Sequence, residues 1–149
     1  MSQQISYNQL IDYIENFSDN HLQLQRFGEG FRADINVIST EENNFPILYV
    51  EPLSHTMQNW VQRYRIRIYC LDLLQQDKSN RRDILSDCIQ ILNDLYKYIK
   101  NDSQNNFDVT NIPTSLPVQN ISIEGVGGWS SEFEILVTLN DKDCDIPLD

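Results

Sequence analysis

Arg63, Arg65 and Arg67 stand at alternate positions and form the strongest local charge feature of the sequence. In an extended chain that spacing puts all three guanidinium groups on one face. Such a row has two uses: it can contact an anion or a nucleic acid, or it can pair with acidic strands of the same or a neighbouring chain. Glu132 and Glu134 share the alternate spacing. A strand carrying them beside the arginines would produce cross-strand pairs. Salt bridging, across strands or between subunits, is therefore the role expected of these five residues.

The other motifs point away from catalysis. Gly125-Val126-Gly127-Gly128 resembles a phosphate-binding loop only in its glycines. It lacks the lysine and the Ser/Thr of a P-loop and runs into a strand pattern, where a helix N-terminus would be required. A turn is expected. His21 and His55 lack metal-ligand spacing and triad order, and both are expected at the surface. Asp141, Asp143 and Asp145 have alternate spacing, but the glycine and the closing glutamate of a calcium loop are missing. Cys70, Cys88 and Cys144 form no CxxC pair and are odd in number, so neither a disulfide framework nor a zinc site is supported. They are expected to be small buried groups in a reducing compartment. No enzyme activity, metal or cofactor is predicted.

The elements that position these residues follow from periodicity. Ile5, Leu10, Ile11, Tyr13, Ile14 and Phe17 make an amphipathic opening helix over Ile5 to Phe17, capped at or near Ser6. A short strand from Leu22 ends at a Gly28-Glu29-Gly30 turn. Ile47 to Glu51, bracketed by Pro46 and Pro52, reads as a short strand. Trp60 to Asp72 is the clearest strand, with Tyr64, Ile66, Ile68 and Cys70 opposite the arginines. Asp83 to Lys100 is the best helix: Ile84, Leu85, Cys88, Ile91, Leu92, Leu95 and Ile99 form one stripe, and Asn80 suits the N-cap. Asn101 to Asn106 is a polar loop, and the chain around Pro113 and Pro117 is irregular and extended. Ile121 to Glu124 and Trp129 to Leu139 are two further strands about the glycine turn. The expected fold is α+β, a mostly antiparallel sheet with one or two amphipathic helices packed on one face.

Length and composition agree with one such domain, residues 1–149, ending in a short acidic tail at about 141–149. The 149 residues carry 22 acidic and 11 basic side chains, a formal net charge of −11. That acidity opposes broad phosphate-backbone binding. By segment the net charge is −6 over 1–62, +4 over 63–82 and −9 over 83–149. This reads as a polarised subunit suited to head-to-tail contact between copies. The N-terminus lacks the features of a secretory signal, and no apolar run approaches the roughly 20 residues needed to span a bilayer. A soluble protein made in a cytoplasm, with no membrane partner, is expected.

The order of several segments carries a resemblance. Phe45-Pro46-Ile47-Leu48-Tyr49-Val50-Glu51-Pro52 is followed by Tyr64-Arg65-Ile66-Arg67-Ile68-Tyr69-Cys70-Leu71-Asp72 and by Ser79-Asn80, Ile84-Leu85-Ser86-Asp87 and Ile91-Leu92-Asn93-Asp94-Leu95. Then come Gly128-Trp129-Ser130-Ser131-Glu132-Phe133-Glu134-Ile135 and Cys144-Asp145-Ile146-Pro147. This succession, spanning residues 45 to 147, resembles small neck and tail proteins of tailed bacteriophages, of the tail-terminator and head-tail connector type. The resemblance implies a sheet flanked by helices and a structural virion protein without enzymatic activity, assembled in the host cytoplasm. Its partners would be further copies of itself in a homo-oligomeric ring and the adjacent portal, connector or tail proteins. DNA would be only passing cargo in the channel, where an acidic wall would repel phosphate. Two stretches are candidates for docking to adjacent rings: the loop around Glu51 to Gln58, with His55 in it and Trp60 close behind, and Asn111 to Gly128 with Trp129 beside it. The competing expectation is a small non-viral α+β protein-binding adaptor without catalytic activity.

Overall fold

The computed structural model describes residues 6–37, 44–59, 61–75, 77–101, 107–119 and 125–138. The expected strand at Ile121 to Glu124, the acidic tail, Trp60 and Cys144 lie outside them. Helix α1 spans Tyr7–Asn20 and opens on a capping box: the Ser6 hydroxyl accepts from the Gln9 N–H, and the Gln9 side chain accepts from the Ser6 N–H at 2.7 Å. Strand β1 (Arg26–Glu29) and a 3-10 helix (Arg32–Val37) follow, then strands β2 (Ile47–Gln58) and β3 (Val61–Leu73). Helix α2 spans Arg81–Lys100, and β4 (Phe107–Val109), β5 (Ser115–Gln119) and β6 (Val126–Thr138) complete the order.

The fold is α+β. The sheet runs β1-β2-β3-β6-β4, and β5 joins β6 on the same edge as β4. Only the β1–β2 pair is parallel; the other pairs are antiparallel. Long β3 and β6 are the centre, paired from Val61–Thr138 to Leu73–Val126.

One sheet face meets both helices. Leu10, Ile14 and Phe17 of α1, with Ile84, Cys88, Ile91, Leu92, Leu95 and Ile99 of α2, pack on Leu48, Val50, Ile66, Ile68, Phe133, Ile135 and Val137. Most of the helix stripes read from the sequence are thus buried, with Ile11, Tyr13 and Leu85 half-buried and Ile5 outside the described residues, and burying them drives the layer together. The opposite face has a smaller core, where Ile35 of the 3-10 helix and Phe45 cover Ile47, Tyr49, Tyr69 and Leu71. Cys70 and Cys88 are free and fully buried, side by side in the helix-facing core. Their mutual hydrogen bond and burial hold the Cys70 thiol far above the ordinary thiol range, so it stays protonated.

Several elements differ from expectation for identifiable reasons. Gly28 and Glu29 belong to β1 and form no turn. The Tyr49 ring lies against Gly28, where an added Cβ would come within 2.7 Å of it, and the Tyr49 hydroxyl donates to the Phe31 carbonyl. Strand β2 continues through Pro52, where the register to β3 shifts between Pro52 and Ser54, so the proline sits at a bulge. Asn80 occupies the N-cap position of α2 without capping it. Its amide instead donates to the Leu73 carbonyl and accepts from the Gln75 N–H, closing the connection from β3. The stretch around Pro117 is strand β5, an edge strand and hence a place that tolerates proline. Gly127 and Gly128 lie inside β6, and the turn is left to Gly125.

Candidate functional site

Alternation along β3 sends Arg63, Arg65 and Arg67 to the face away from the helices, and register brings Glu134 opposite Arg65 and Glu132 opposite Arg67. The cross-strand pairs therefore form within one chain. Arg67 Nη2 donates to Glu132 Oε1 at 2.7 Å, and Arg67 Nη1 lies 3.5 Å from Glu51 Oε1. Glu134 stands 3.5 Å from Arg63 Nε and 3.8 Å from Arg65 Nη2, and also accepts from the Thr110 hydroxyl at 2.8 Å. The Glu132 hydrogen bond holds the Arg67 guanidinium above its ordinary value against some desolvation.

This ladder changes the reading of the charge. The arginines that made residues 63–82 basic are matched by Glu51, Glu132 and Glu134 on the two neighbouring strands, so β3 presents no bare cationic stripe. The described residues hold 14 acidic and 10 basic side chains, a net −4 of the total −11. The rest of the excess lies in segments outside them.

Three docking-loop expectations are corrected. Glu51 is in mid-strand and only 9% exposed; one carboxylate oxygen accepts from the Arg32 N–H at 3.0 Å and the other from the Tyr69 hydroxyl at 3.0 Å. It anchors the 3-10 helix to the sheet. His55 is exposed but lies in β2, its ring 4.7 Å from Tyr64 and bonded to Gln62 at 2.9 Å. Trp129 is half-buried in β6 and donates its indole N–H to the Leu85 carbonyl at 2.7 Å, tying the sheet to α2. His21, expected at the surface, is largely covered, and its ring reaches Asp94 at 2.9 Å, linking the end of α1 to α2.

Of the stretch expected to dock, Asn111 to Gly128, residues 111–119 are exposed or half-buried, 120–124 lie outside the described residues, and Val126, Gly127 and Gly128 are buried in β6. Between β4 and β5 the chain leaves β6, and the Asn111 amide takes the place of a strand: it accepts from the Glu134 N–H and donates to the Glu132 carbonyl, both at 2.9 Å. The bulge this creates lifts Ile112 to 91% exposure, and Leu116 remains 62% exposed. With Arg67, Thr114, Ser130 and Glu132 they line a hollow of about 310 Å³ on the ladder face. Exposed aliphatic side chains thus lie beside an internally neutralised ion-pair ladder. The Asn111 role carried no sequence signal, since a single amide in a loop has no periodicity.

Among the described residues no group of three or more His, Cys, Asp or Glu side chains is placed to hold a metal ion, and no helix is long and apolar enough to cross a membrane. One titration is informative. Desolvation raises the Asp72 carboxyl, and Asp87 adds to this against the Leu73 N–H hydrogen bond. A carboxyl raised in the folded state binds its proton more tightly there, so its ionisation costs stability above that folded value, and the cost vanishes on acidification. Asp72→Asn, which keeps an acceptor for Leu73, should raise the urea midpoint at pH 7, with the advantage fading as the pH falls through the raised folded value and gone below the unfolded value of about 3.9.

Compared with known proteins, the chain matches no protein-family model, and no curated protein is significantly similar to it.

Proposed function

We propose that the protein is a structural, non-enzymatic component of a tailed-bacteriophage virion, a ring-forming neck or tail protein of the terminator or connector type. The observation that carries this reading is the ordered succession of segments resembling that group. Of its seven segments, five fall wholly or mainly on β2, β3, α2 and β6, and Ser79-Asn80 immediately precedes α2. The last, Cys144 to Pro147, lies outside the described residues. Copies of the chain would meet through the exposed Ile112 and Leu116 beside the ion-pair ladder, and the ring would join its portal, connector or tail neighbours around the DNA channel. The internal pairing of the arginines supports DNA as passing cargo, because it leaves β3 no cationic row to grip phosphate.

Light scattering and negative-stain imaging across a range of protein concentrations, with and without phage particles or their neck proteins, test the reading. Closed rings are expected, alone or on those neighbours, and Ile112→Asp with Leu116→Asp should abolish them without loss of fold, both side chains being exposed. A chain that stays monomeric under all these conditions and is absent from the particles overturns it.

A further inference from the structure

On the helix side of the Asn111 bulge a second hollow, of about 310 Å³, opens between α2 and β6. Leu92 and Tyr96 of α2 and Phe133 of β6 form one side, and Ile112 and Pro113 of the bulge form the other. Tyr96 and Phe133 stand edge to face, with ring centres 6.3 Å apart at 77°. None of the lining residues is charged. The β6 side chains that face α2 are otherwise apolar or aromatic, but Ser131 breaks the series Phe133, Ile135, Val137 with a hydroxyl. Ser131 is 2% exposed and lines the hollow, and its Oγ is the one buried side-chain nitrogen or oxygen among the described residues with no hydrogen-bond partner. A buried hydroxyl without a partner costs free energy that an alanine at this position would avoid.

We infer that this hollow is a binding site for a compact, neutral, mainly aromatic group bearing one hydroxyl, of the phenol class, with Ser131 Oγ as its hydrogen-bonding partner. The volume is at the lower end for ligand pockets and accommodates a single ring. Apolar and aromatic walls supply the burial, and the uncharged lining excludes carboxylates and ammonium groups, which would lose hydration without a counter-charge. The Asn111 amide makes the site possible: by satisfying β6 in place of a strand, it lets residues 112 to 114 stand away from Ser131. The inference does not depend on the ring reading.

The test uses p-cresol and toluene, which differ by one hydroxyl, titrated into the isotope-labelled full chain and followed by amide chemical shifts. Saturable shifts at Leu92, Tyr96, Ser131 and Phe133 are expected, with p-cresol binding roughly five-fold tighter than toluene, the worth of one hydrogen bond. Ser131→Ala should bring that ratio to about one. Asn93→Trp, at an exposed α2 position on the rim, should abolish binding of both compounds while the fold is kept. The absence of a saturable response in the natural sequence overturns the inference, as do shifts confined to other regions or a p-cresol preference that survives Ser131→Ala. If Ser131→Ala fails to fold, a folded Asn93→Trp that still binds p-cresol overturns it.

Discussion

Gly128→Ala is expected to unfold the protein or leave it barely stable in urea titration. Gly128 lies opposite Leu71 in the central β3–β6 ladder and has φ +155°, a conformation that favours glycine. A Cβ there would overlap the Cys70 carbonyl oxygen and come within 3.1 Å of the Leu71 Cα. Both are backbone atoms in the buried stretch of β3 around Cys70 and Leu71, so no side-chain rotation relieves the clash. Relief requires separating the two strands that hold the sheet together. Overpacking combined with backbone strain costs about 3 kcal/mol or more, against a total stability of about 5–15 kcal/mol for a domain. Gly127→Ala is the control: the atoms nearest its Cβ would all belong to the Leu74 side chain, the closest at 3.2 Å. That flexible neighbour gives way, and the expected loss is below about 1 kcal/mol.

Glu51→Ala should be the most damaging change on the ladder face. It removes the acceptor of the Arg32 N–H and the Tyr69 hydroxyl together with one of the two carboxylates beside Arg67. Loss of charge-assisted bonds at a largely buried carboxylate costs about 2–3 kcal/mol, and Glu51→Gln, which keeps a neutral acceptor, costs about half that. Amide hydrogen exchange should show Arg32 losing protection before the β3–β6 ladder does, because Glu51 is what fastens the 3-10 helix to the sheet. Added salt should change the Glu51 effect little, since the carboxylate is shielded from solvent. Arg65→Glu is the contrast. Its guanidinium is 52% exposed and 3.8 Å from Glu134, so reversal costs under about 1 kcal/mol and diminishes with salt. A Glu51→Ala protein as stable as the natural one would remove the anchoring role assigned here.

What could be read ahead of the structure was whatever depends on period. The α2 stripe, the Ser6 cap and the alternation of arginines with Tyr64, Ile66, Ile68 and Cys70 on β3 all come from local spacing, and each is present. That Glu132 and Glu134 would pair with the arginines on adjacent strands was also legible, because alternating rows of opposite charge attract, but which glutamate meets which arginine was set by the β3–β6 register. Glu51 misled because a charged residue before a proline looks like the start of a loop. Its burial depends on Arg67 and Tyr69 arriving from β3 and Arg32 from the 3-10 helix, none of which neighbours it in sequence.

By itself, then, the amino-acid order determined the α+β class, the two amphipathic helices and the charged face of the long strand, since periodicity acts through each element's own geometry. Only the tertiary structure decided that Gly127 and Gly128 belong to a strand, that Asn111 stands in for one, and that Ser131 is buried without a partner beneath the bulge. These are outcomes of register and close approach between distant segments. They are set where burial of both sheet faces, backbone pairing along β6 and the bulk of single atoms must all be satisfied at once, and no local pattern records that joint solution.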